Sequence, residues 1–331
     1  MLTFLARRIG LGILTIWAVS IIAFVIIQLP PGDFVTSYIA KLEAQGGTSL
    51  SAEATLLRTQ YGLDDPMVVQ YAKWMWQVVQ GNFGMSLDYQ QPVANIIGDR
   101  LALTVIVTLA ALIFTWIIAL PIGIFSAVRQ YSIADYIFTF IGFLGLAVPT
   151  FLLALILMYT FVVVFHASVG GLFSNDFIDA PWSFAKIWDL VKHLPLPAIV
   201  LGLAGTAQLI RIMRANLLDE LRKPYVITAR AKGLPERRVI LKYPVRVALN
   251  PFASTVGFLF PQVVSGSIIV SVVLSLPTVG PVLLTALIGQ DMFLAGTIVL
   301  MIGTFTVIGM LVSDLILVWL DPRIRLFGGD R

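Results

Sequence analysis

The sequence predicts an all-α integral membrane protein with six transmembrane helices and an external helical insertion between spans 1 and 2. Three observations carry this. Hydrophobic residues make up 58% of the 331 residues and charged residues only 12%, with a mean hydropathy of +0.93. A soluble domain of this size needs far more charge to cover its surface. Six apolar stretches each reach the roughly 20 helical residues that a hydrocarbon core of about 30 Å requires. Lysine and arginine are shared unevenly among the connections, as a fixed membrane orientation demands.

The six stretches are Ile9–Leu29, Leu101–Val128, Tyr136–Phe165, Leu194–Met213, Phe252–Leu276 and Leu294–Leu320. The first follows Arg7 and Arg8 as a secretory leader would. Its apolar run is too long, however, and Gln28-Leu29-Pro30-Pro31-Gly32 offers no small-x-small cleavage site, so it reads as a retained helix. With the N-terminus inside, sixteen Lys and Arg fall on the cytoplasmic side and six outside. Ten of the sixteen lie between Arg211 and Arg246, and the inverted topology would export them in one short loop. Both termini are therefore expected in the cytoplasm.

Residues 30–99 form the predicted external subdomain. Tyr61, Met67, Val68, Tyr71, Trp74, Met75 and Val78 recur at near-helical spacing, which predicts an amphipathic helix on the outer membrane surface. Residues 100–320 form a core of five further spans, and 321–331 a cytoplasmic tail. Trp182 and Trp188, in the loop after the third span, suit headgroup anchors as well as ligand contacts.

Between the fourth and fifth spans, residues 214–250 form a polar, basic island. Pro224 suits a first helical position, where its missing N–H is unpaired anyway. Gly233 can take positive φ and close that helix, and Pro235 then opens a second, with Glu236 favourable to its dipole. The prediction is helix, tight turn, helix. Ala229 and Ala231 would let another protein approach closely, while Arg230, Lys232, Arg237 and Arg238 would steer and register it. Charge alone would equally describe a loop that merely obeys the positive-inside rule.

Three motifs decide between these readings. Thr228-Ala229-Arg230-Ala231-Lys232-Gly233-Leu234, followed by Arg246, Ala248, Leu249 and Pro251, resembles the EAA loop of ABC-importer permeases of the dipeptide/oligopeptide/nickel family. Gly81, Phe83, Gly84 and Ser86 resemble that family's external G-x-F-G-x-S turn, and Leu320-Asp321-Pro322-Arg323-Ile324-Arg325 its C-terminal signature. Departures occur at Thr228 (often Glu), at Met310 (often Asn) and in Val273–Gly280, which lacks an acidic residue and a glycine of the usual pattern. The resemblance implies a type I ABC-importer permease fold. It implies one of two transmembrane subunits, paired with a homologous permease, and a coupling helix near Tyr225–Lys232 that two cytoplasmic ATPases would receive. An external solute-binding protein would deliver a peptide-like substrate. ATP and Mg would be used by the partners, because this chain has no G-x-x-x-x-G-K-[ST] phosphate loop. The resemblance also implies a bacterial or archaeal cytoplasmic membrane, with lipid rather than nucleic acid around the chain.

Candidate path residues lie in the fifth span. Ser267, Ser271 and Ser275 at i, i+4, i+8 would share one stripe, with Gln262 and Ser265 nearby. They read either as a polar wall for substrate or as small residues for close helix packing. Pro149 and Pro261 could kink their helices. Asp314 is the one acid deep in a predicted span and suits a helix-pairing bond better than a proton carrier, while His166 reads as interfacial. There is no cysteine, and His166 and His193 fit no metal spacing, so no cofactor or metal site is expected in this chain. An ion-coupled carrier should show internal repeats and several intramembrane charges, and an intramembrane protease a nucleophile elbow or metal cluster. The sequence has neither set. Nickel complexes, opines or oligosaccharides remain alternative cargoes within the same transporter class.

Overall fold

The computed structural model describes residues 2–29, 35–36, 39, 55–56, 58–59, 62, 64–86, 88–165 and 170–320, with the side chains of 2–5, 144, 165, 204 and 256–267 outside the description. Helices dominate. They are α1 (Leu2–Gln28), α2 (Met67–Val79), α3 (Val93–Val128), α4 (Ile133–Ala147), α5 (Thr150–Phe165), α6 (Phe184–His193) and α7 (Pro195–Leu221). Three short helices follow, α8 (Pro224–Ala231), α9 (Glu236–Lys242) and α10 (Pro244–Ala248). Then come α11 (Asn250–Val273), α12 (Val279–Ile288) and α13 (Met292–Leu320). The only strands among the described residues are β1 (Met85–Ser86) and β2 (Gln91–Pro92), an antiparallel pair with Met85 opposite Pro92.

Three helices are long and apolar enough to cross a membrane, namely Ala6–Gln28 of α1, the whole of α3 and the whole of α13. Two helix pairs qualify only together. Ile133–Ala147 and Thr150–Val164 meet at 105°, and Phe184–Leu203 and Gly205–Leu221 at 56°, giving up to five spans among the described residues. The predicted fifth span, Phe252–Leu276, overlaps α11, which starts at Asn250 and ends at Val273. Trp17, Ile22, Phe140, Phe143 and Tyr159 point outward from α1, α4 and α5, as side chains facing hydrocarbon or a partner do.

Several expectations change. The third predicted span is two helices, because Pro149 has no N–H to give and forces Val148 out of the helical region. The fourth does not stop at Met213 but continues two turns to Leu221, so the basic island begins as a helix. Pro244 splits off α10, and a further helix, α12, lies in the connection between the fifth and sixth predicted spans. Tyr61, His166 and residues 321–331 lie outside the described residues.

The chain divides into two compact units. The first comprises Met1–Arg7, Val105–Pro277 and Ile308–Arg331. Helix α7 is its organising element, packed by α3, α4, α5, α10 and α11. Met213 and Leu217 are fully buried among Ala119, Ile240, Val245, Ala248 and Phe252. The approach of α3 to α7 is close: a Cβ at Gly123 would stand 2.6 Å from the Met213 side chain. Thr115 donates its hydroxyl to the Gly202 carbonyl at 3.0 Å, satisfying a polar group that burial would otherwise penalise.

The second unit comprises Arg8–Thr104 and Thr278–Val307. Here α2 turns Trp74 inward onto Phe24 of α1, with ring centroids 6.0 Å apart, while the Tyr71 and Ser20 hydroxyls pair at 2.7 Å. The predicted amphipathic helix thus exists, and its buried face is a Tyr71–Trp74 stripe; Met67 and Val68 stay exposed.

Candidate functional site

The basic island folds into a small knob with its own core. Lys223 is extended (φ −72°, ψ 147°), and Pro224 opens α8 without wasting a hydrogen bond. Helix α8 ends at Ala231, and Gly233 follows at φ +73°, its N–H bonded to the Arg230 carbonyl at 2.9 Å. Pro235 then caps α9, whose first turn carries Glu236. The helix–turn–helix expected from the sequence is present at the same residues.

What fixes the two helices against each other is apolar. Val226 and Ala229 of α8 meet Val239 of α9, with Leu234 and Tyr243 packed around them. Ala229 is therefore committed to the knob's interior and does not offer a surface for a partner, contrary to the sequence expectation. Its neighbour Ala231 is exposed, as are Thr228, Lys232 and Gly233, while Leu234 is half-buried. The outward face also carries Ile227, 59% exposed, and Tyr225, 39% exposed. Ile227 escaped the sequence reading. The signal was there: Val226 and Ala229 are three apart, so Ile227 and Ala231, four apart, must share a different face.

Charge braces the knob. Arg230 forks onto Glu236, Nη2 to Oε1 at 2.7 Å and Nε to Oε2 at 3.1 Å, so it is an internal clamp before it is a steering charge. The hydrogen bond from Arg230 holds the Glu236 carboxyl below the usual carboxylate range, and the same bond pushes the guanidinium further up. The Tyr225 phenol donates to Glu220 at the end of α7; its partial burial, then that carboxylate, raise its pKa. Thr228 donates to the Pro224 carbonyl at 3.0 Å, a bond within its own helix.

The knob's exit is tied to the last helix. Arg246 of α10 donates from Nε to the Leu320 carbonyl at 3.0 Å and from Nη2 to that of Trp319 at 3.3 Å. A guanidinium there both satisfies free carbonyls and opposes the negative end of α13. Two sequence motifs, the loop's arginine and the start of the C-terminal signature, thus meet. Ser313 of α13 adds a 2.6 Å bond to the Ala253 carbonyl of α11. That hydroxyl supplies a helix-pairing bond one position before Asp314, which is half-buried.

The predicted serine stripe does not hold together. Helix α11 ends at Val273, and Ser275 lies beyond it at φ +52°, exposed, where it cannot continue the line of Ser267 and Ser271. Ser271 is buried, and the side chains of Gln262, Ser265 and Ser267 fall outside the description. Trp182 and Trp188 are both about half-exposed, near Lys186 and Lys192 respectively. Among the described residues no group of His, Asp and Glu could hold a metal.

The Gly81–Ser86 turn, expected on the outer side, has a partner the sequence reading missed. In the second unit, the Ser86 hydroxyl donates to Asp291 at 2.6 Å; Asp291 is fully buried and also accepts from the Leu294 N–H at 3.1 Å, capping α13. Gly84 sits at φ +79° with the Phe293 ring where a Cβ would go, at 2.7 Å. A glycine is required there on both counts.

Comparison with known proteins gives the family. Residues 119–326 match the family described as binding-protein-dependent transport system inner membrane component, and residues 1–108 match its N-terminal counterpart. A Brucella ovis protein is 36% identical over 327 residues, 98% of this chain and 99% of its own length. The oligopeptide transport system permease protein AppB of Bacillus subtilis is 34% identical over 326 residues, 98% of this chain and all of its own. The dipeptide transport system permease protein DppB of Escherichia coli is 31% identical over 341, covering 98% and 99%. The resemblance carried by the three motifs is borne out: this chain belongs to the inner membrane components of binding-protein-dependent transport systems.

Proposed function

We propose that the chain is one transmembrane subunit of an ATP-driven importer of di- and oligopeptides, forming half of the translocation pathway. The cargo follows from the names of relatives matched along nearly their whole length. The observation that carries the mechanism is the knob: a rigid pair of helices with its own core, whose outward face combines Ile227, Ala231 and Lys232. In this reading the knob lies in the cytoplasm and enters a cleft on an ATPase subunit. Six spans cross the inner membrane with both termini inside, and residues 30–99 lie outside, where a solute-binding protein docks. A second, related permease completes the pathway, and two ATPases supply the energy. Residues Tyr225, Thr228, Arg230, Ala231, Lys232, Gly233 and Leu234 build or present the coupling surface. Ala229 contributes from beneath.

Gating follows from the coupling. Association of the ATPases on binding ATP moves the two knobs, and helices continuous with them carry the displacement toward the pathway. Ser271 and the α11 residues Gln262, Ser265 and Ser267 are the candidate wall of that path. The test is reconstitution of the chain with its partner permease, ATPases and binding protein in liposomes. Uptake of a labelled dipeptide that requires both ATP and binding protein supports the reading. Uptake driven by a proton or sodium gradient without ATP contradicts it.

A further inference from the structure

We propose that Asp135 and Arg214 form the register lock through which movement of the knob reaches the α3–α4 turn, and so are positioning residues for transport. This rests on the coupling role proposed above. Arg214 donates from Nε to Oδ1 of Asp135 at 3.2 Å and from Nη2 to Oδ2 at 3.0 Å, a two-point clamp. Asp135 is almost wholly buried and Arg214 about one-quarter exposed.

The location of each partner gives the pair its meaning. Arg214 lies on the straight segment Gly205–Leu221 of α7, seven residues before its end, and only Arg222 and Lys223 separate that end from α8. About 10 Å of helix and a two-residue turn thus separate Arg214 from the knob. Asp135 lies in the first turn of α4 and holds the connection from α3 as well. Its Oδ2 accepts from the Tyr131 N–H at 3.0 Å, and its own N–H bonds to the Ser132 hydroxyl at 3.2 Å. Tyr131 takes φ +63° in this turn. The pattern Ser-x-x-Asp before an apolar run was the legible trace of it.

Elsewhere along the α4–α7 contact the Arg211 guanidinium of α7 lies 5.5 Å from the centre of the Phe143 ring of α4. Gly142 and Gly145 face Ala207 and Leu203, at 3.6 and 3.3 Å from where a Cβ would stand. The glycines present no side chain of their own to key one helix against the other, so in this proposal the ion pair fixes the register of α4 on α7. Its members cannot separate cheaply, since losing Arg214 leaves the buried Asp135 carboxylate without its counter-ion, whereas an apolar pair of similar volume packs as well without fixing register.

The test uses the full complex in liposomes and reads dipeptide imported per ATP hydrolysed. Asp135→Asn and Arg214→Gln are expected to retain the ATPases and their hydrolysis while that ratio falls about tenfold, the scale of an ordinary coupling between sites. The exchange Asp135→Arg with Arg214→Asp should recover much of the ratio, and the apolar pair Asp135→Leu with Arg214→Met should not. An unchanged ratio in either single variant overturns the proposal, as does recovery by the apolar pair or loss of assembly in every variant. ATP-independent uptake by the unaltered complex would instead overturn the coupling role itself.

Discussion

At Gly233 the chain must pass from α8 to α9 with φ at +73°, and a Cβ there would meet no atom within 4 Å. Space is therefore not the constraint; torsion is. A left-handed residue other than glycine costs about 1–2 kcal/mol, least for Asn and most for a β-branched side chain. Gly233→Val should therefore lower ATP-driven uptake sharply, and Gly233→Asn only mildly, in that order and without loss of the protein from the membrane. Uptake measured beside the amount of chain in the membrane checks this, and equal activity of the two variants would sink it. Ala229 teaches the complementary lesson. Its place in the motif marked it as contact surface, but the i, i+3 partner Val226 turns it inward.

Among the elements, the α8–α9 pair is held by a small apolar core and by the Arg230–Glu236 clamp. The clamp is largely exposed, so it contributes at most about 1 kcal/mol and less at high salt. Its pH dependence has a definite sign. Because the folded-state pKa of Glu236 is depressed, its contribution is present above the ordinary carboxylate range and disappears as pH falls through the folded value. Arg230→Glu should weaken recovery of the ATPases with the chain, by turning attraction to Glu236 into repulsion and by reversing a surface charge. The exchange Arg230→Glu with Glu236→Arg restores the clamp but leaves the surface pattern altered. Full recovery of ATPase co-purification in the exchange would assign the defect to the clamp; continued loss would assign it to the partner surface.

Much of this level was legible in advance. Pro224, Gly233 and Pro235 carry conformational rules local enough to read from single residues, and they fixed α8, the turn and α9. What was not legible depends on pairs distant in sequence: Arg246 with the end of α13, Asp291 with Ser86, Asp135 with Arg214. The stripe from Ser267 to Ser275 failed for a different reason. A helical period describes residues only while the helix lasts, and α11 stops at Val273 before Ser275 is reached. Hydropathy likewise merged α4 and α5, because Pro149 breaks a helix without interrupting the run of apolar side chains.

For the molecule as a whole, the membrane character rests on composition and the family on matches that span the chain. We propose, more narrowly, that the knob is a cytoplasmic contact for an ATPase. The chain has no cysteine, so Ala231→Cys introduces a unique thiol on the exposed end of α8 without disturbing the buried Val226–Val239 contact. The most direct measurement is bifunctional crosslinking from that thiol in assembled membrane complexes, beside labelling by an impermeant thiol reagent applied to either side. Expected are a covalent adduct with the ATPase subunit and labelling only from the cytoplasmic side. Labelling only from outside, or crosslinking to the external binding protein and never to an ATPase, would contradict the claim.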